Sequence, residues 1–115
     1  MPADHIDIVR RSYQAYETAD RAALEELLAD DLVFSSPADV GIDRATYWER
    51  CWPNHENLAA FDIKRLAEVG DEVLVTYEAE RTDGSRFRNT EVLGFEGDRI
   101  RTVEVYFGWN LDPAR

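Results

Sequence analysis

The strongest constraint on the fold is the stretch of residues 86–109, where apolar and polar side chains alternate on both sides of a predicted turn at residues 96–98. Side chains two residues apart point to the same face of a strand. One face of the first predicted strand carries Phe87, Asn89, Glu91, Leu93 and Phe95, and one face of the second carries Val103, Val105, Phe107 and Trp109. The stretch therefore predicts two long strands that fold back on each other.

Glu91 is the most informative residue of this stretch, because a carboxylate in a largely apolar row indicates a cavity rather than a plain core. In apolar surroundings the neutral acid is favoured, and it can donate a hydrogen bond or act as a general acid or base. The alternative is a structural carboxylate that faces solvent or pairs with one of three arginines: Arg65, Arg81 or Arg88. The parity set by Leu93 favours the inward orientation.

Composition limits the class of protein. The chain has 115 residues, 44% of them hydrophobic and 11% aromatic, which predicts one globular domain over residues 1–115. A net charge of −11 disfavours binding to nucleic acid or to an anionic membrane surface. The single cysteine, Cys51, cannot form an intramolecular disulfide. No apolar run is as long as that of a signal peptide or a membrane span. A cytoplasmic protein is predicted.

The other elements follow from periodicity and turn residues. Three helices are predicted, over residues 4–19, 20–28 and 43–51, with Asp20 and Asp43 as N-caps of the second and third. Further strands are predicted over residues 32–34, 61–68 and 73–80, with residues 54–57 as a polar loop and a hairpin turn at Asp83 and Gly84. Helices followed by a run of antiparallel strands predict an α+β fold, with helices on the concave face of a curved sheet.

Several segments in this order resemble the nuclear transport factor two superfamily, and within it the SnoaL-like and ketosteroid-isomerase-like group. They are residues 16–20 (YETAD), 27–34 (LLADDLVF), Gly41 ahead of the Trp48 helix, residues 70–73 (GDEV) and 97–100 (GDRI). The resemblance covers nearly the whole chain and implies a single SnoaL-like domain. It implies a cone-shaped, curved antiparallel sheet that encloses a deep pocket with three N-terminal helices, and a homodimer formed through the outer face of the sheet.

The resemblance also allows a test of one particular chemistry. In ketosteroid isomerases a carboxylate base precedes the proline after the first strand, and the matching residue is Ser36, which cannot act as that base. The position of their oxyanion-hole tyrosine falls at Ser12, and that of their second, acidic donor falls at Glu91. Steroid isomerisation by that constellation is therefore disfavoured, whereas a polyketide-cyclase-like role stays open.

The remaining site candidates are a histidine and a set of aromatic and polar residues. His55, beside Trp52, is a candidate base near neutral pH, with a plain surface residue as the alternative. The residues predicted to line a pocket for a flat apolar ligand are Tyr16, Phe34, Trp48, Trp52, Tyr77, Asn89, Phe107 and Trp109. Each of the aromatic residues has membership of the core as its alternative.

These observations predict binding of a small hydrophobic metabolite, with Glu91 and His55 as candidate catalytic residues for acid/base conversion by isomerisation, cyclisation or dehydration. The alternative is a non-catalytic ligand-binding or dimerisation module. No metal is predicted, because two distant histidines and one cysteine do not form a zinc pattern. No organic cofactor is predicted either, because a phosphate-cradling glycine loop is absent from the sequence.

Overall fold

The computed structural model describes residues 4–111, which form three α-helices, one 3₁₀ helix and five strands. The helices are α1 (His5–Thr18), α2 (Arg21–Leu27), α3 (Arg44–Arg50) and the 3₁₀ helix (Trp52–Asn57). The strands are β1 (Leu28–Ser35), β2 (Leu58–Val69), β3 (Glu72–Arg81), β4 (Arg86–Glu96) and β5 (Arg99–Leu111). None of the helices within this range is long and apolar enough to cross a membrane.

Aspartate side chains begin all three α-helices, and the predicted caps at Asp20 and Asp43 are confirmed. Asp20 accepts a hydrogen bond from the backbone N–H of Ala23 at 3.1 Å, and Asp43 accepts one from Thr46 at 2.8 Å. Such a cap contributes about 1 kcal/mol, because it satisfies an N–H that has no partner within the helix. The caps therefore fix the residue at which each helix starts.

The sheet is mixed rather than wholly antiparallel, which corrects the prediction. Its order is β1-β5-β4-β3-β2, and the four strands β2 to β5 form the expected antiparallel meander. β1, however, pairs in parallel with β5. After β1 the chain crosses through α3 and the 3₁₀ helix to the far edge and reverses. Three hairpins then bring β5 back in the direction of β1.

Three boundaries also differ from the predictions. β1 begins at Leu28 rather than at residue 32, because the chain leaves α2 directly in extended conformation. Residues 54–57, predicted as a loop, belong to the 3₁₀ helix, which has Pro53 in its first turn. β2 covers Leu58–Val69 rather than residues 61–68, and a register shift between Ile63 and Arg65 lets the strand continue past a break in its alternation.

The core lies between α1 and the concave face of the sheet. On β3 the predicted inner residues Val73, Val75, Tyr77 and Ala79 are at most 5% exposed. Ile8 and Val9 of α1 are buried against the same cluster. The alternation along the strands therefore predicted the inner face correctly, because a sheet with one covered face keeps a period of two.

A bulge at Gly108 changes the face of Trp109. Asn89 pairs with Phe107, but the next pair joins Arg88 to Trp109, so Gly108 lies outside the register. The Trp109 ring consequently lies on the outer face, 5.3 Å from the guanidinium carbon of Arg88. The inward face predicted for Trp109 is wrong, since the extra residue shifts the alternation by one.

Candidate functional site

A cavity of about 720 Å³ lies between the concave face of the sheet and the helices. Most of its wall is apolar. The apolar lining residues come from four of the strands and include Leu28, Leu32, Phe61, Leu93, Ile100 and Val103. Residues 81–83 of the β3–β4 turn and residues 107–110 of β5 are largely exposed and border the cavity at its mouth. This volume is within the usual range for sites that enclose a small organic molecule.

Glu91 lies on the cavity wall in the middle of β4, where it pairs with Val75 of β3 and Val105 of β5. The Tyr77 hydroxyl donates to Glu91 Oε2 at 2.8 Å. Burial raises the pKa of Glu91, and the hydrogen bond from Tyr77, together with the nearby Tyr13 hydroxyl, opposes that rise only in part. The structure therefore favours the neutral acid at this position.

Of the three arginines considered as partners of Glu91, Arg81 and Arg88 are engaged elsewhere and Arg65 is exposed. Across the described part of the chain, no lysine or arginine nitrogen lies within 4.0 Å of its carboxylate. Arg88 instead donates to Glu78 on the outer face, from Nε at 3.1 Å, and Arg86 donates to the same carboxylate at 2.9 Å. The guanidinium carbon of Arg81 lies 4.3 Å above the Phe87 ring. Within residues 4–111, Glu91 therefore has no structural arginine partner.

Tyr13 is a cavity residue that the sequence reasoning missed. It is 7% exposed, and its hydroxyl has no hydrogen-bond partner of acceptable geometry among the described residues. Burial, and next to it the charge of Glu91, raises the pKa of Tyr13 well above its ordinary value. A buried donor without a partner normally carries a free-energy penalty, so the cavity side of Tyr13 is suited to a ligand oxygen. Its only signal in the sequence was its place on the apolar face of α1.

Two further tyrosines pair across the cavity wall. The hydroxyl of Tyr16, which was predicted as a ligand contact, hydrogen-bonds that of Tyr47. Burial raises the pKa of both phenols, so both stay protonated at neutral pH. The neighbouring Ser12 donates to the carbonyl of Val9 at 2.6 Å. Phenols of α1 and α3 therefore supply hydroxyl groups to the cavity, whereas the Ser12 hydroxyl donates to the backbone of its own helix.

The loop after β1 brings an acidic residue to the cavity that the sequence did not reveal. Ser36, at the position of the base in ketosteroid isomerases, accepts from the backbone N–H groups of Ala38 and Asp39 at 3.2 Å each. This turn places Asp39 on the cavity wall, where Arg50 Nε donates to its Oδ1. Only 15% of the Asp39 side chain is exposed. Asp39 and Glu91 are therefore two carboxyl groups of one cavity.

Three predicted site residues lie outside the residues that line the cavity. His55 packs against Trp52 with ring centroids 4.5 Å apart and the rings tilted by 36°, and Trp52 is buried between His55, Tyr16 and Trp48. The Trp48 ring lies 4.4 Å from the guanidinium carbon of Arg21 on the surface. These aromatic residues cover the helical side of the cone, and this position does not support a contact with a ligand in the cavity.

The other predicted residues do border the cavity. Phe34, Tyr77 and Asn89 line its wall. Phe107 borders the mouth and is 57% exposed, and Trp109 reaches the rim of the mouth from the outer face and is 61% exposed. Cys51 also lines the wall, and burial raises the pKa of its thiol to about 11, so the thiol is a poor nucleophile at neutral pH. Among residues 4–111, no group of three or more metal-ligating side chains converges.

A curved sheet that encloses an apolar cavity with helices at its concave face defines this protein as a small α+β domain with an internal cavity. Comparison of sequences then identifies the family. The profile of the SnoaL-like domain matches residues 9–103, and the chain belongs to that family. Comparison with curated protein sequences finds no match.

Solved structures of the same fold include several kinds of protein. A candidate ketosteroid isomerase from Kribbella flavida DSM 17836 is similar with a TM-score of 0.78 and 15% identity, over 96% of this chain and 82% of that one. An LEH-like epoxide hydrolase from M. tuberculosis has a TM-score of 0.75 and 20% identity, over 90% and 82%. A candidate polyketide cyclase from Sinorhizobium meliloti has a TM-score of 0.71 and 24% identity, over 86% and 93%. These likenesses show the fold alone.

Proposed function

We propose that the cavity binds a small, mainly apolar molecule by an oxygen that accepts hydrogen bonds from Glu91 and Tyr13, and converts it by acid/base chemistry. The observation that carries this proposal is a carboxyl group inside an apolar cavity with no cationic partner among the described residues. The reaction classes that fit are isomerisation, cyclisation and dehydration, because each moves protons near an oxygen and needs neither a metal nor an organic cofactor.

The donor properties of the two groups support binding through a carbonyl or enol oxygen. A neutral carboxylic acid donates one hydrogen bond, whereas its anion only accepts. Tyr13 also holds a hydrogen without an acceptor of good geometry, and its ring centroid lies 5.2 Å from that of Tyr77, whose hydroxyl is bonded to Glu91. Two donors aimed at one oxygen stabilise negative charge that develops on it during proton abstraction from a neighbouring carbon.

Conversion also needs a group that accepts a proton, and Asp39 is suited to that role. Its carboxylate lines the same cavity and accepts a hydrogen bond from Arg50 Nε. An acid and a base in one site require environments that separate their protonation states. The alternative is a non-catalytic ligand-binding module, which needs the shape of the cavity and its donors but no proton acceptor.

The binding part can be tested with a matched pair of probes, 2-acetylnaphthalene and 2-ethylnaphthalene, which differ mainly in the carbonyl oxygen. Titration calorimetry is expected to show about tenfold tighter binding of the ketone, because one good hydrogen bond contributes about 1 kcal/mol or more. This preference should fall as pH rises through the pKa of Glu91. Glu91→Gln keeps a donor and should retain the preference at all pH values, whereas Glu91→Ala should lose most of it. Equal affinity for both probes at every pH would contradict the proposal.

The catalytic part is separated from plain binding by proton exchange. In D₂O, NMR is expected to show that the protein accelerates deuterium uptake at the acetyl methyl group of bound 2-acetylnaphthalene. Asp39→Asn should abolish that acceleration and leave the affinity for the ketone nearly unchanged, because the proton acceptor is lost while Glu91 and Tyr13 remain. Preferential binding of the ketone without any exchange by the unsubstituted protein would support the binding module instead.

We further propose that two copies pair through the outer face of the sheet. The residues predicted there do share one face, since Thr76 pairs with Thr90, Val92 with Glu104, and Thr90 with Tyr106. Three apolar or aromatic residues of this face are exposed: Leu74 by 36%, Tyr106 by 54% and Trp109 by 61%. Exposed apolar side chains on a sheet face favour association about a two-fold axis.

Light scattering is expected to give twice the chain mass of 13.2 kDa at micromolar concentration. Leu74→Arg should shift the protein to the mass of one chain, because a charged guanidinium would replace an exposed apolar side chain on the face proposed to pair. Val40→Arg is the control, since Val40 is 82% exposed on the β1–α3 loop and should leave the mass unchanged. A single-chain mass for the unsubstituted protein would rule out the dimer. The cytoplasmic location stays a prediction from the sequence.

A further inference from the structure

Three hydrogen bonds connect the bulge in β5 to the Glu91 carboxyl group. Gly108 N–H donates to Asn89 Oδ1 at 3.2 Å, and Asn89 Nδ2 donates to Tyr77 Oη at 3.3 Å. Tyr77 Oη in turn donates to Glu91 Oε2 at 2.8 Å. Asn89 and Tyr77 are 9% and 5% exposed, so bulk water does not compete freely for these bonds.

The direction of each bond follows from the bond before it. A backbone N–H can only donate, so the side-chain oxygen of Asn89 must face Gly108. This leaves the Asn89 NH₂ group, which also can only donate, facing the Tyr77 oxygen. Since the Tyr77 oxygen then acts as the acceptor, its single hydrogen is left for Glu91. The bulge thereby fixes an amide orientation that is otherwise ambiguous.

We infer that Gly108, Asn89 and Tyr77 form a positioning relay that determines which oxygen of Glu91 carries the proton. Oε2 accepts from Tyr77 and is therefore the carbonyl oxygen of the neutral acid. The proton then lies on Oε1, the oxygen outside the relay. This inference rests on the proposed function of Glu91 as a donor and assigns Asn89 a role beyond the contact with ligand predicted from the sequence.

The relay has a second consequence for the same group. A hydrogen bond donated to a carboxyl group stabilises its charged form more than its neutral form. Tyr77 accordingly holds the pKa of Glu91 below the value that burial alone would produce. Burial raises the pKa of the Tyr77 phenol, and donation from Asn89 opposes part of that rise, so Asn89 makes Tyr77 a stronger donor than it would be without this bond. The relay therefore both orients the proton and limits how far burial raises the pKa of Glu91.

Tyr77→Phe tests the relay in the protein without ligand. Infrared spectroscopy, with Glu91→Gln to assign the band, measures the C=O stretch of the protonated acid, and carboxyl ¹³C NMR measures its pKa. Loss of the hydrogen bond to the carbonyl oxygen is expected to move the stretch to higher frequency. The pKa should rise by about one unit, the size expected for one hydrogen bond to a charged group.

Asn89→Asp tests the direction of the relay without removing Tyr77. An aspartate at this position can still accept from Gly108 but cannot donate, so Tyr77 should turn its hydrogen to the new carboxylate. Glu91 would lose its donor and gain a negative neighbour, and both changes should raise its pKa by at least as much as Tyr77→Phe does. An unchanged pKa in this variant would overturn the role of Asn89.

Tyr106→Phe is the matched control. Tyr106 donates to Glu104 at 2.8 Å on the outer face, so this substitution removes the same hydroxyl from an equivalent tyrosine–glutamate pair. Its Glu91 stretch and pKa should equal those of the unsubstituted protein. If Tyr77→Phe behaves like this control, the relay is overturned. A raised pKa with an unchanged stretch would place the proton on Oε2 and would overturn it as well. Loss of ketone preference alone would count only against the proposed function, because both readouts are taken without ligand.

Discussion

Glu91→Gln is expected to raise the free energy of unfolding near pH 8 and to leave it nearly unchanged below about pH 4, the unperturbed range of a glutamate. Burial raises the pKa of Glu91 in the folded protein, and no cation among residues 4–111 offsets it. Glutamine has a similar size, and its oxygen can still accept from Tyr77. It removes only the ionisation, which is the feature that burial disfavours.

The sign of the pH dependence follows from proton binding in the two states. Below the unfolded pKa both states carry the proton, so the neutral acid contributes its full stability. As pH rises, the unfolded state releases the proton while the folded state retains it, and stability falls until the folded pKa is passed. The difference between the two proteins should therefore grow by about 1.4 kcal/mol for each unit that separates the folded and unfolded pKa values.

Thermal and urea unfolding at a series of pH values from about 4 to about 8 measure this difference. Glu78→Gln is the control with the opposite sign, because the hydrogen bond from Arg88, followed by weaker effects of neighbouring cations, lowers the pKa of Glu78. That variant should lose stability at neutral pH and approach the unsubstituted protein as pH falls through the folded pKa of Glu78. A loss of stability at pH 8 in Glu91→Gln would mean that Glu91 is ionised and paired.

Gly108→Ala is expected to lower the free energy of unfolding by about 3 kcal/mol, at the upper end for added volume in a packed site. A Cβ atom at this position would lie 2.1 Å from the carbonyl oxygen of Arg88. Because the obstacle is backbone, β4 and β5 would have to separate where the bulge joins them. For a chain of this length the melting temperature should fall by about 12 °C or more.

Gly94→Ala serves as the comparison for Gly108→Ala. A Cβ at Gly94 would lie 2.2 Å from Thr102 Oγ1, but that group is the end of a side chain that can rotate. The expected loss is about 1 kcal/mol or less, because only a side-chain rotamer has to change. Similar melting temperatures for the two variants would show that the bulge tolerates a side chain and that its geometry differs from the one described.

Local patterns in the sequence predicted the framework of the fold and the central acid of the site. Aspartate caps preceded the second and third helices, and alternation assigned the inner face of β3. The same parity, set by Leu93, placed Glu91 on the inner side. These features depend on residues two to four positions apart, and such short-range geometry is nearly the same in any fold that contains the element.

Contacts between distant segments decided the rest. Tyr13 shares its helical face with ordinary core residues, and only the packing of α1 across the sheet brings its hydroxyl near Glu91. Asp39 and Arg50 lie 11 positions apart, and His55 packs against Trp52 rather than lining the cavity. Trp109 lies on the outer face, opposite to the prediction, because pairing with β4 leaves Gly108 outside the register. The sequence by itself determined which faces are apolar and where the acid lies. The tertiary structure decided which groups meet it, because pairing register and helix placement arise from the whole core.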